Sequence, residues 1–200
     1  MGFVWRLAAA PLVRETGFLL TAAYLLHVLW TRRFRGALLF STAALPALGW
    51  YLFVELNTAP YAGAWFSAVP WRGIIQRVLT PVHYPLAPLI AGVITVLDYA
   101  ALGGAAMAIV LAIGMIFKRL AGPVEFSIYL LTLLATFVAY SEVWLDAYAF
   151  ARVLSPLVLL EALYDLPKRQ WLGAVPLLLL VPRILIQLAP QALRIVTSWL

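Results

Sequence analysis

Glu142 and Asp146 stand four residues apart, so on a helix both carboxylates would share one face. That spacing suits a divalent cation or a general acid working with a general base. It also suits two solvated acids that balance Arg152. Tyr148, Arg152 and Pro156 recur every fourth residue, which stacks Tyr148 and Arg152 on one helical face. A guanidinium there could grip a lipid phosphate through two parallel hydrogen bonds, a geometry that lysine does not reproduce. It could equally reach for the headgroups while its stem covers apolar surface. Arg14 and Glu15 are neighbours and point about 100° apart on a helix, so they need not pair with each other. At the start of an apolar run they read as an interfacial anchor, with the carboxylate near the positive helix end.

The remaining ionisable residues have quieter readings. Asp98 has no basic neighbour in sequence, so if buried it needs a partner from another helix or must be neutral. His27 and His83 stand alone and are expected to be structural. Glu161 and Asp165 approach Lys168 and Arg169, and charge balance accounts for them. With no Cys and two His, disulfides and thiolate metal sites are excluded, and neither a metal nor a resident cofactor is expected. The chain has no phosphate-binding glycine loop, no His-Glu-x-x-His and no Gly-x-Ser-x-Gly elbow.

The elements that must position these residues are apolar. Charged residues make up 11% of 200 positions, against roughly 25% in an ordinary soluble domain. The apolar class reaches 65%, and the mean hydropathy is +0.98. The expected fold class is therefore all-α: one integral membrane helical bundle of about six transmembrane helices, because a crossing needs about 20 mainly apolar residues. The spans are expected at about 16–30, 36–54, 86–117, 124–140, 148–164 and 171–188. Pro46 should kink the second, the third, longer than one crossing and containing Asp98 and Gly103-Gly104, should be bent or begin with an interfacial approach, and Pro176 and Pro182 should make the sixth irregular. Ala100-Ala101 and the run Gly103 to Ala106 would let helices approach closely.

Three basic clusters, Arg32-Arg33-Arg35, Lys118-Arg119 and Lys168-Arg169, fall in alternate loops. The positive-inside rule then assigns those loops to the cytoplasm and both termini to the extracytoplasmic side of the cell membrane. The net charge of +6 thus belongs to membrane orientation, and nucleic acid is not an expected partner. The long outer loop, 56–85, carries Tyr61, Trp65, Trp71 and Tyr84 and is too aromatic for a free linker. Within it, 71–79 reads as an amphipathic helix on the outer membrane surface, with Arg72 and Gln76 on one side and Ile74, Ile75, Val78 and Leu79 on the other.

The stretch from Pro11 through Arg14-Glu15-Thr16-Gly17 to Trp30, closed by Arg32-Arg33-Phe34-Arg35, resembles later transmembrane helices of GT-C type glycosyltransferases. Leu45-Pro46-Ala47-Leu48-Gly49-Trp50-Tyr51 and the late Tyr148, Arg152, Leu154 and Pro156 add to the resemblance. Members of that superfamily take sugars from polyprenyl-phosphate donors and carry their catalytic acid in a large early outer loop. Here Arg14-Glu15 falls near the start, so the resemblance implies a C-terminal portion without the catalytic acid. It implies a module binding a polyprenyl phosphate or another anionic lipid through Arg14, Tyr148 and Arg152, and not catalytic by itself. The alternative is a structural or assembly subunit of a larger membrane complex, with membrane lipids and other membrane subunits as partners. A transporter is disfavoured by the scarcity of polar residues along any path.

Overall fold

The computed structural model describes residues 16–58, 66–118, 121–140, 143–144 and 147–198, with backbone alone at Leu39, Ala147, Tyr148, Gln187 and 190–198. The described residues form helices α1 (Gly17–Trp30), α2 (Phe34–Ser41), α3 (Leu45–Asn57), α4 (Arg72–Leu79), α5 (Pro88–Phe117), α6 (Pro123–Phe137), α7 (Ala147–Asp165) and α8 (Val175–Ser198). Short 3-10 turns at Thr42–Ala44, Leu166–Lys168 and Trp171–Ala174 join or precede them. The only extended pairing among the described residues is an isolated bridge between Phe66 and Val138. The all-α class expected from the sequence holds for these residues.

Two helical stretches are long and apolar enough to cross a membrane: Phe34–Asn57, which joins α2 to α3, and Pro88–Phe117. Gly17–Trp30, Pro123–Phe137 and Trp171–Ile186 are apolar but shorter. Near Pro46 the expected irregularity appears one turn earlier, as the 3-10 turn Thr42–Ala44. The proline ring would collide with a carbonyl one turn back, so the backbone tightens there before α3 begins. In contrast, α5 runs unbroken through Gly103-Gly104, and α8 continues past Pro182. Pro176 occupies the second position of α8, where a missing N–H breaks no helical bond.

The chain packs as two compact units, one of Met1–Gly63 with Ile113–Leu133 and the other of Ala64–Ala112 with Leu134–Leu200. In the first, α1 ends on a left-handed residue, Arg32, at φ 56°. The Arg33 N–H reaches the Val28 carbonyl at 3.0 Å and the Arg32 N–H reaches that of Leu29 at 2.9 Å. This is the double bond of a helix stop usually built on glycine, and the guanidinium complements the negative helix end. Arg169 at φ 56° does the same after α7, with the Gln170 N–H on the Asp165 carbonyl at 3.1 Å. In the same unit the His27 Nδ1 lies 2.9 Å from the Ala121 carbonyl, a contact between segments far apart in sequence.

In the second unit the seam of α5 is a stripe of small residues. Ile94, Asp98, Ala101, Ala105, Ala108 and Ala112 are buried at alternating spacings of four and three, while Leu89, Val93, Val96 and Val110 face outward. Small side chains on one face let another backbone come close. A Cβ at Gly104 would stand 2.9 Å from the Pro176 carbonyl, so glycine there sets the approach of α8.

Candidate functional site

The second unit buries an ionic cluster around Asp98. Its position follows from how α4 is held. The Trp71 N–H donates to the Thr136 carbonyl at 2.8 Å and the Ser67 N–H to the Phe137 carbonyl at 3.0 Å, tying the segment before α4 to the end of α6. Trp71 adopts a left-handed backbone, φ 65°, at the start of α4. For a bulky residue that is strained by about 1 kcal/mol or more, and these bonds hold it. The helix then turns Gly73, Ile74 and Arg77 inward and leaves Ile75, Val78 and Leu79 exposed. Of the aliphatic side expected from the sequence, Ile75, Val78 and Leu79 are exposed and Ile74 is buried, while Arg77, which that expectation did not place on either side, is covered.

Arg77 meets Asp98, whose residue exposure is 4%, with Nη2 donating to Oδ2 at 2.9 Å. From α8, the Arg183 Nε donates to Oδ1 at 2.6 Å. From the loop after α4, the Tyr84 hydroxyl donates to Oδ2 at 2.5 Å and accepts from Arg183 Nη2 at 3.3 Å. The Arg183 guanidinium also lies 5.8 Å from the centre of the Tyr84 ring. One carboxylate on α5 therefore joins α4, the loop that follows it and the distant α8. Both of its oxygens accept charge-assisted bonds, which are the shorter and stronger kind.

Burial pushes the Tyr84 phenol above its ordinary value of 10.0, and its bond to the Asp98 carboxylate pushes the same way. A raised phenol favours the fold while protonated. That contribution is complete below the ordinary value and is lost as pH climbs through the folded one. Tyr84→Phe is expected to cost about 1 kcal/mol at neutral pH and to flatten the alkaline fall in stability, as read from thermal unfolding across alkaline pH.

Beside Arg77 and Asp98 lies a cavity of about 10 Å³, also lined by Thr95 and Tyr99. That holds about one water molecule, so the cluster is a pin between helices rather than a pocket for a sugar or phosphate. A larger, shallow groove of about 410 Å³ runs along the outside of α4, lined by Val69, Arg72, Ile75, Gln76, Leu79 and Thr80.

Of the residues singled out from sequence, Arg14, Glu15, Glu142 and Asp146 lie outside the described residues, and Tyr148 is placed by its backbone on α7. Arg152 is exposed on α7 and is not bonded to Asp98. His83 is exposed. Asp98 meets the condition set for a buried acid: its partners come from elsewhere in the chain. Sequence reading did not pair it with Arg77, Tyr84 or Arg183. The available signal was that Arg183 is a solitary base in one apolar run and Asp98 a solitary acid in another. Charge balance fails for Glu161, whose carboxylate is buried and meets neither Lys168 nor Arg169. Among the described residues no group of three or more His, Asp or Glu side chains could hold a metal ion.

No family model, curated protein or solved structure matches the chain. The likeness to GT-C enzymes rests on the sequence segments alone.

Proposed function

We propose that the chain is a multi-pass membrane module of about six crossings whose extracytoplasmic face binds an anionic lipid phosphate. A polyprenyl phosphate is the ligand that the GT-C resemblance implies, and a catalytic acid would come from a partner chain. The observation that carries this reading is the groove on α4. It sets the exposed Arg72 guanidinium, with Gln76 and Thr80, along a floor of Val69, Ile75 and Leu79. A phosphate with an apolar tail asks for that pairing of cation and aliphatic trough. Arg152, exposed on α7, is the second cation available to a headgroup.

The distribution of side chains supports the membrane setting. Arg77, Asp98, Glu161 and Arg183 are buried, while Leu38, Leu52, Leu89, Val96, Leu178 and Leu185 are more than half exposed. Water would reverse that arrangement, whereas lipid permits it. Buried hydroxyls answer to their own helices, Thr21 to the Gly17 carbonyl and Thr132 to that of Ile128, as a medium without water requires. In this reading the loops bearing Arg32, Lys118 and Lys168 are cytoplasmic and both termini lie outside.

Purified wild-type chain should retain polyprenyl phosphate through detergent extraction, measured by mass spectrometry of bound lipid. Arg72→Ala combined with Arg152→Ala should lower retention about tenfold, ~1.4 kcal/mol. Unchanged retention by the folded double variant would sink the idea.

A second reading, an assembly subunit, is favoured by Phe34–Asn57, of which only 18% of the most apolar window is buried. Its exposed Trp50 and Phe53 stack at 5.9 Å and, with Leu52 and Leu56, present an aromatic and aliphatic surface. Stoichiometric copurification of another membrane chain, lost when Trp50 and Phe53 are made Ala, distinguishes this reading from lipid binding alone.

A further inference from the structure

Glu161 lies on the packed face of α7, among Leu157, Val158 and Ala162, and is 2% exposed. Among the described residues neither Oε1 nor Oε2 has a hydrogen-bond partner. An ionised carboxylate so placed gives up its hydration without a hydrogen bond among the described residues to replace it. A neutral carboxylic acid avoids most of that cost. Asp165 follows one turn later on α7, half-buried, and its charge acts on Glu161. The 3-10 turn Trp171–Ala174 makes room for this second acid, because a side chain at Gly173 would run into the Asp165 carboxylate.

The cations near this end of α7 are engaged elsewhere or exposed. Lys168 lies over the Tyr164 ring, and Arg169 is exposed. Among the described side chains of the segments packed against α7, those of the turn Trp171–Ala174 include no ionisable group, and α8 contributes Arg183, which is bonded to Asp98. An unpartnered buried acid beside a half-exposed one, with no base drawn to it among the described residues, has the arrangement of a group that holds a small cation and passes it to the surface.

We propose that Glu161 and Asp165 form a proton-binding pair, in which Glu161 holds an exchangeable proton inside the protein and Asp165 carries it to and from water beside the Lys168-Arg169 loop. On release the O–H bond of Glu161 breaks as one forms on a water molecule, which in turn gives a proton to the Asp165 carboxylate and leaves Glu161 ionised. Asp165 then gives the proton to water, and the reverse sequence reloads the site. This pair is separate from the α4 groove and does not depend on lipid binding there.

Dicyclohexylcarbodiimide, which adds to protonated carboxyl groups in apolar surroundings, tests the pair on the full chain in detergent, with modified peptides mapped by mass spectrometry. Label is expected on Glu161, falling as pH rises, and lost in Glu161→Gln. In Asp165→Asn, without the neighbouring negative charge, the midpoint should move down by about one pH unit. The wild-type labelling needs no variant to fold, so it tests the proposal by itself. Absence of label on Glu161 at every pH where the chain stays folded overturns it. So does labelling that ignores pH. Protection by sodium at fixed pH also overturns it, since the occupant is then a metal ion and not a proton.

Discussion

Asp98→Ala is expected to destabilise the chain by about 3–5 kcal/mol, enough to unfold the second unit, because two guanidinium groups would remain buried after losing their shared carboxylate. Arg77 and Arg183 are 2% and 3% exposed, so neither can recover its hydration without pulling α4 or α8 away from α5. Asp98→Asn keeps the shape and one acceptor but removes the charge, and should fall between the wild type and Asp98→Ala. The decisive comparison is the triple variant Arg77→Met, Asp98→Leu, Arg183→Met. Buried ion clusters replaced as a whole by apolar side chains often lose little stability. The triple variant should therefore melt well above Asp98→Ala, as measured by circular dichroism in detergent. If it instead melts with Asp98→Ala, the pin is not the reason for the loss. A triple variant that is folded and still retains lipid would also show that the cluster holds helices together without touching the ligand.

The legibility of the fold varied with the physics behind each signal. Apolar length places helices well: the expected 16–30 and 148–164 emerge as Gly17–Trp30 and Ala147–Asp165. Proline was read with less accuracy, because its effect depends on where in a helix it falls. Pro46 tightens the turn before it, Pro176 sits harmlessly near a helix start, and Pro182 is carried within a continuous α8. The aliphatic side of α4 was legible, but the inward turn of Arg77 was not. A helical wheel ranks faces by hydropathy, and that ranking predicts burial only where water is outside. Arg77 turns inward because Asp98 waits there, and Ile75, Val78 and Leu79 can turn outward where lipid is the solvent. Asp98 could be identified from sequence as an acid needing a distant partner. Its partners could not, since Arg77 is 21 residues away and Arg183 is 85 away. Glu161 was missed for the opposite reason: Lys168 and Arg169 are so near in sequence that they appeared to answer it, yet its side chain turns to the packed face instead.

Gly73→Ala should have the second-largest effect, a loss of about 2–3 kcal/mol, the range for forcing extra volume into a packed site. The added methyl would run into the Trp144 indole. That ring has nowhere to go. It is 2% exposed, its Nε1 donates to the Val138 carbonyl at 3.0 Å, and it stacks on Phe150 at 5.9 Å with planes 10° apart. The strain must be relieved by moving α4, which withdraws Arg77 from Asp98 one helical turn away. Gly73→Ala and Asp98→Ala should consequently be non-additive in a double-mutant cycle, since the first already weakens the contact that the second removes. Gly103→Ala provides the internal control: a Cβ there meets nothing within 4 Å. It should be neutral or stabilise α5 by up to about 1 kcal/mol, from helix propensity alone. Equal losses at the two glycines would mean that backbone freedom, rather than the fit of α4 beneath Trp144, governs the stability of this region.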